Sequence, residues 1–343
     1  MNLEGAPMSL VPAGSRGARN QGDLGLILKV ARLYYEAGLK QGAIAEQLHI
    51  SQSRVSRLLK EAVDREIVRI SVIPPEGLHP DLEDALKGRY GLLDAVVVHT
   101  DDAPDDFLLP AIGGVAGKYI EATLTGNDLV GLSSWSATLL EAVDAMTKAR
   151  TRSARAVVQL IGGVGRPEAQ INATRLTSRL AGATGADPYF LQAPGLVASP
   201  AARDALLADP QVRQTADLWS QLTVALVGIG SLAPSPLLRR SGNSISDDEI
   251  EVMRGLGAVG DVVLKFVDVD GNRVQSDLDA RVVGIDAETF LAIPRRLGVA
   301  GGPGKLEAIR AMLRGGWINV LITDETTARH LIERTEETQQ KEE

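Results

Sequence analysis

The stretch Gln41-Gly-Ala-Ile-Ala-Glu-Gln-Leu-His-Ile-Ser-Gln-Ser-Arg-Val-Ser-Arg-Leu-Leu59 reads as two short helices joined by a tight turn. Ile44, Ala45 and Leu48 fall at i, i+1 and i+4, the apolar stripe of a first helix. His49-Ile50 makes the connection, and Ile50 supplies the apolar residue that such a turn buries. Ser51 is suited to N-cap a second helix, whose Val55, Leu58 and Leu59 face inward. That leaves Gln52, Ser53, Arg54, Ser56 and Arg57 pointing outward from its first turns. A recognition helix needs such side chains there: Gln and Arg for base edges, Ser and Arg for phosphates. An ordinary helical hairpin with a solvated polar face requires the stripe alone. Here stripe, cap and outward residues agree, which favours a helix-turn-helix entering the major groove of double-stranded DNA.

The rest of the chain sets the frame for that head. At 343 residues it is too long for one small DNA-binding module, so two domains are expected. Hydrophobic residues make up 44% and aromatics only 3%, so a large core must be built from Ala, Val, Leu and Ile. The absence of cysteine excludes disulfides and thiolate metal sites and fits a reducing cytoplasm. The histidines (His49, His79, His99, His330) are scattered and read as forming no ligand cluster, so neither a metal nor another cofactor is expected. No apolar run approaches the roughly 20 residues of a membrane span. The net charge of −8 looks wrong for a DNA-binding protein until it is divided. Residues 16–70 hold ten Lys/Arg against six Asp/Glu, whereas residues 71–343 carry −11. A basic head on an acidic body discourages indiscriminate sticking to phosphate backbones. A head of only +4 binds DNA weakly by itself, so two or more heads in a homo-oligomer, dimer or tetramer, are expected to act together.

Patterning along the chain divides it further. Residues 1–20 read as a flexible tail without a signal peptide's apolar core, 21–73 as the helix-turn-helix domain and 74–90 as linker and helix. Residues 91–335 read as an effector domain and 336–343 as a polar tail. Leu24 to Ala37 is an amphipathic helix bracing the head through Leu26, Val30 and Leu33, and Arg65 to Ile73 alternates as a wing strand. Pro74-Pro75-Glu76-Gly77 breaks regular structure, and Asp81 to Tyr90 is helical. Beyond residue 91, strands are expected at Leu93–His99, Asp128–Leu132, Ala156–Ile161, Tyr189–Gln192, Val224–Ile229, Val282–Gly284, Leu297–Ala300 and Asn319–Thr323. Helical patterns separate most of them. The fold class is therefore α/β, a mostly parallel sheet covered on both faces. Asp261 to Val274, with Asp270-Gly271 between β-rich segments, reads as an inserted hairpin.

Open parallel sheets bind ligands at the carboxyl ends of their strands, and several loops there have unusual character. Gly131-Leu-Ser-Ser-Trp-Ser-Ala-Thr138 follows a strand and opens a helix. Hydroxyls of Ser133, Ser134, Ser136 and Thr138 with helix-start N–H groups make an anion cradle, although simple serine capping explains part of the pattern. Gly162-Gly163 follows a strand and lets backbone approach a ligand. Asp261 follows a Gly-rich turn and offers a carboxylate to sugar hydroxyls. Ala300-Gly-Gly-Pro-Gly-Lys305 delivers an ammonium at a helix start. It is not a Walker loop, because Val299 and Leu306 stand where Gly and Ser/Thr are required. Val227-Gly-Ile-Gly-Ser-Leu232 lacks the third glycine of a dinucleotide fingerprint.

With the head, these loops resemble the SorC family of sugar-responsive bacterial transcriptional regulators. The carrying motifs are the Gly131 loop, Val158-Gln-Leu-Ile-Gly-Gly163, Leu191-Gln-Ala-Pro-Gly195, Gly257-Ala-Val-Gly-Asp261, Val299 to Lys305 and Val320-Leu-Ile-Thr-Asp-Glu325. They span about residues 24 to 335. The resemblance implies an effector domain related in fold to glucosamine-6-phosphate deaminase and ribose-5-phosphate isomerase. It implies tetramers on operator DNA of carbohydrate or polyol operons, and sugar, sugar-phosphate or polyol effectors acting allosterically. It implies that the Ser133–Thr138 loop, Trp135 included, holds the phosphate or equivalent hydroxyls, with Asp261 and Lys305 contacting the ligand from the other side of the cleft. Many members carry Trp-Gly-x-Thr in that loop, whereas here Trp135 is followed by Ser136-Ala137-Thr138. The added side chain shrinks the cradle and leaves room for an unphosphorylated ligand. The rival reading is a sugar-phosphate isomerase or deaminase with a DNA-binding appendage. It would use Asp261 as base and Lys305 as electrophile. The candidate loops hold no His or Glu to complete the pair, and Asp324 and Glu325 are the nearest reserve.

Overall fold

The computed structural model describes residues 24–69, 75, 77–100, 105–133, 136–149, 151–163, 167–233 and 245–333. The chain divides into two compact units, Met1–Ile73 and Pro74–Glu343.

In the first unit, helix α1 (residues 24–31) runs into a π-turn at Arg32–Glu36. Helices α2 (Gln41–Leu48) and α3 (Gln52–Asp64) follow. Their core joins Ile27, Val30, Ala31, Ile44, Ala45, Val55, Leu58, Leu59 and Ala62. The turn between α2 and α3 works because His49 adopts the left-handed conformation (φ 51°), so that Ile50 N donates to Ala45 O at 3.0 Å. The wing strand expected from Arg65 is not formed over 65–69, and residues 70–73 lie outside the described residues. The backbone there closes α3 instead: Arg65 N donates to Glu61 O and Val68 N to Ala62 O. Ile67 and Val68 pack onto the head core, so their alternation reflects a helix end folding back.

The second unit is built on seven parallel strands in the order β1-β10-β9-β5-β2-β3-β4. These are β1 (Asp94–Val98), β2 (Leu129–Leu132), β3 (Ala156–Gln159), β4 (Asp187–Tyr189), β5 (Val224–Gly228), β9 (Arg295–Val299) and β10 (Val320–Asp324). Successive strand residues point to opposite faces, so Ala95, Val97, Ala225 and Val227 enter one core, and Val98, Val224 and Leu226 the other. Helices α4 (Pro80–Tyr90), α12 (Leu306–Arg314) and α13 (Glu325–Ile332) supply Leu86, Ile309, Met312 and Leu331 to the first. Helices α5 (Asp105–Thr123), α6 (Ala137–Ala145) and α7 (Pro167–Thr184) supply Ile112, Leu139 and Leu180 to the second. Covering on both faces is why these strands read as nearly continuous apolar runs. Helices α8 (Pro200–Ala208), α9 (Pro210–Ala216), α10 (Asp247–Gly255) and α11 (Ala287–Leu291) complete the second unit's described helices. Connections after β2 run to β3 and β4, whereas β5, β9 and β10 build the other way. The chain thus reverses direction between β2 and β5, where such sheets open a crevice.

Three local expectations are corrected. Val282–Gly284 is not a strand; it contributes single bridges, Val282 to Leu196 and Gly284 to Ile161. The fourth strand lies at Asp187–Tyr189, earlier than its apolar residues suggest, and its first two positions are exposed as befits an edge. The inserted hairpin turns tightly at Val263-Leu264, between β7 (Gly260–Val262) and β8 (Lys265–Val267), with β6 (Gly230–Ser231) alongside. Asp270-Gly271 makes a second reversal in which Asp268 N donates to Asn272 O at 3.0 Å. Val263 (φ 47°) and Leu264 (φ 60°) occupy a turn normally given to Asn-Gly, a strained choice for a β-branched residue. Burial of Val263 and a hydrogen bond from Leu264 N to Asp261 Oδ2 (3.0 Å) hold it in place.

Candidate effector site and DNA-contacting helix

On α3, Gln52, Ser53, Arg54, Ser56 and Arg57 are all exposed, while Val55, Leu58 and Leu59 are buried. Ser51 Oγ accepts from Arg54 N at 3.3 Å, the expected cap. The head's described arginines divide into two kinds. Arg32, Arg65 and Arg69 pair with Glu36, Glu61 and Glu66 within their own turns. Arg54 and Arg57 make no ion pair among the described residues; Arg57 Nε donates only to Ser53 O at 3.4 Å. Both guanidinium groups therefore keep their charge available on the exposed face of the first turns of α3.

In the second unit, the loop after β2 lies at the reversal point. Ser133 N donates to Leu226 O of β5 at 3.0 Å, and Ser133, Ser136 and Thr138 are buried. Ser136 is the N-cap of α6, its Oγ accepting from Leu139 N at 3.2 Å, so capping accounts for one of this hydroxyl's roles. Ser134 and Trp135 lie outside the described residues. Gly228 at the end of β5 has no room for a side chain, because Ser136 occupies that space. Two residues on, a side chain at Gly230 would collide with Asp261 Oδ1. One extended segment therefore carries Ser136 and Asp261 beside two missing side chains.

Lys305 approaches Asp261 from the loop after β9. Burial pushes the Asp261 carboxyl up to about 6, against the Leu264 N–H and the Lys305 charge, which favour its ionised form. Burial likewise lowers the Lys305 ammonium, while Asp261 opposes that shift. The two charges feel one another but form no direct ion pair among the described residues. The pair offers an ammonium to an acidic or hydroxyl oxygen and a carboxylate to hydroxyl protons.

The loop carrying Lys305 depends on a residue that the sequence held only in reserve. Asp324 is buried; its Oδ2 accepts from Gly302 N at 2.8 Å and from Thr327 Oγ1 at 2.7 Å, and its Oδ1 caps α13 through Thr327 N at 2.8 Å. Gly302 has φ 91°, a conformation that suits glycine, and a side chain at Gly301 would strike Asp324. Asp324 is thus an anchor, and its signal was the Asp-x-x-Thr capping spacing at a strand–helix junction. Gly162 and Gly163 serve packing: Ala193 and Pro194 fill the space at Gly162, and Gly195 N donates to Gly163 O at 2.7 Å. The expectation of scattered histidines is overturned as well. His79 and His99, far apart in sequence, meet at Glu325, which therefore faces two imidazoles.

Comparison with known proteins bears on this geometry. The Sugar-bind family model, described as a "Putative sugar-binding domain", matches residues 77–333, and Sigma-70, region 4 matches residues 29–65. The chain belongs to the SorC family. It is 29% identical to the sorbitol operon regulator of Klebsiella pneumoniae over 91% of this chain and 99% of that one. It is 30% identical to the deoxyribonucleoside regulator of Bacillus subtilis, covering 90% of this chain and 97% of that one. The crystal structure of the full-length Klebsiella regulator SorC superposes with a TM-score of 0.70 at 28% identity, covering 91% of this chain and 99% of that one. SorC-family relatives matched along nearly their whole length are named as regulators of transcription, which decides between regulator and appended enzyme in favour of the regulator. Among the described residues, no helix is long and apolar enough to cross a membrane.

Proposed function

We propose that this SorC-family regulator controls a carbohydrate or polyol operon by coupling operator binding to a small effector held beside the β2–β5 crevice. The observation that carries the reading is the Asp261–Lys305 arrangement: two opposite, desolvated charges in mutual reach without contact, one at a strained hairpin and one at a helix start. Lys305 takes a phosphate or hydroxyl oxygen and Asp261 accepts sugar hydroxyls. Ser133, Ser136 and Thr138 line the side nearer β2, and Gly162 and Gly163 shape the neighbouring wall. Gln52, Ser53, Arg54, Ser56 and Arg57 contact operator DNA, which places the protein's work in the cytoplasm. The modest charge of one head supports a homotetramer, in which several weak heads bind together. Effector binding then needs to supply only the 1–3 kcal/mol or so typical of allosteric coupling.

A thermal-shift panel on the full chain tests this, using sugars and polyols with and without phosphate. A ligand that binds the native state alone raises its melting temperature by mass action. The expected result is a shift from one chemical class that disappears in Lys305→Ala. A shift of equal size in that variant would remove the Lys305 loop from the site.

A further inference from the structure

Three ligating side chains from distant parts of the sequence converge at one edge of the sheet. His79 Nε2 lies 3.1 Å from Glu325 Oε2, His99 Nδ1 lies 3.0 Å from the same oxygen, and the two nitrogens are 3.2 Å apart. We propose that His79, His99 and Glu325 form a binding site for a divalent transition-metal ion of the zinc class, one ion per chain.

The near-equilateral triangle is the first argument. Donors about 2.0–2.1 Å from a tetrahedral ion stand roughly 3.3 Å from one another, close to the spacings here. Hydrogen bonding satisfies the triangle only with two ring N–H hydrogens in close contact at one oxygen, whereas a shared ion draws on a lone pair from each of the three donors. Donor chemistry is the second argument. Two imidazoles and a carboxylate suit zinc, cobalt and nickel, whereas calcium and magnesium prefer all-oxygen sets. Preorganisation is the third. Val98 and Asp324 are register partners on adjacent parallel strands, so His99 and Glu325 emerge side by side from the sheet. Leu78 bridges to Val98, which delivers His79 to the same point. Arg329 holds the other carboxylate oxygen, Oε1, through Nε (3.1 Å) and Nη2 (2.6 Å) and turns Oε2 toward the rings. Such outer partners orient metal ligands in the same way. His79 and Glu325 are mostly buried while the His99 side chain is 37% exposed, which leaves an open side for a water or a further donor. His79 follows the Ile73/Pro74 boundary closely, so the ion would pin the chain's entry into the effector domain to the ends of β1 and β10.

The test uses the full-length chain, stripped with a chelator and titrated with Co2+. A saturable visible absorption at one equivalent per chain is expected, displaced by Zn2+, and Zn2+ is expected to raise the melting temperature. His79→Ala and His99→Ala should each weaken Co2+ binding by roughly 100-fold or more, beyond the loss typical of an outer-shell partner. His330→Ala should leave it unchanged. Because an alanine variant can fail to fold, the parent chain supplies a second reading: Zn2+ should shift the imidazole NMR signals of His79 and His99 and spare those of His49 and His330. No saturable absorption in the parent, affinities unaffected by both substitutions, or unshifted His79 and His99 signals would each overturn the site and leave a proton-sharing triad.

Discussion

The proposed DNA-contacting helix and the proposed effector site hold polar groups ready for a ligand by opposite means. On α3 the proposed contact residues lie within the single stretch 52–57 and are exposed, while Val55, Leu58 and Leu59 anchor the opposite face. In the second unit, the proposed effector residues Ser136, Asp261 and Lys305 come from three loops far apart in sequence; Ser136 and Asp261 pack against Gly228 and Gly230, which leave no room for side chains. A surface reader can be built from one amphipathic helix. A pocket that desolvates its charges must be assembled from a whole sheet, and its weak points are the glycines that let the loops approach.

That contrast is sharpest at Gly230. Gly230→Ala puts a methyl against Asp261 Oδ1, drives the carboxylate from its place near Lys305, and should abolish the effector response. It should also cost about 1–3 kcal/mol of stability in urea unfolding, as overpacking does. A normal thermal shift with effector in this variant would show that Asp261 lies outside the site. Lys305→Ala should also lose the response, but with operator affinity in the absence of effector kept within about twofold, since no head residue changes.

On α3 the effects should be graded. Arg57→Ala should weaken operator binding by about 1–3 kcal/mol per contact and flatten its salt dependence, while the effector shift persists. An unchanged salt slope in a DNA-binding titration would take Arg57 off the phosphate. Ser51→Ala removes only the cap that receives Arg54 N, so the head should lose about 1 kcal/mol by denaturant unfolding.

The same contrast explains what could be read from the sequence. The helix-turn-helix and six of the seven parallel strands were legible because local periodicity and burial coincide there. The head's cap and outward face needed nothing beyond α3 itself. Lys305 and Asp261 were recognisable as unusual residues after Gly-rich turns, but their mutual reach depends on β5 running into β6 beside β7, a long-range pairing that no local pattern encodes. The Val263-Leu264 turn was missed because its residues oppose the turn they make, and burial with the Asp261 hydrogen bond overrides that preference. Likewise, the grip of Asp324 on Gly302 exists only because β9 and β10 are neighbours, and the His79–His99–Glu325 triangle only because β1 and β10 are.

A further expected effect concerns protons. Asp261 titrates near 6 in the folded chain, above its ordinary 3.8, because burial penalises the carboxylate. Between those values the native state holds more protons than the unfolded state, so this residue makes stability fall as pH rises from about 3.8 to about 6, and its contribution is flat above that. Asp261→Asn should remove this slope and leave the rest of the pH–stability curve in place. Effector binding should run the other way, since hydroxyl protons are accepted better by the ionised carboxylate. Affinity for the compound found in the thermal-shift panel should rise through pH 6 and level off, and Asp261→Asn should flatten that rise. Calorimetric titrations of parent and variant across this range give the answer. If their affinity profiles are parallel, the proton that matters belongs to the ligand and Asp261 serves only to hold its hairpin.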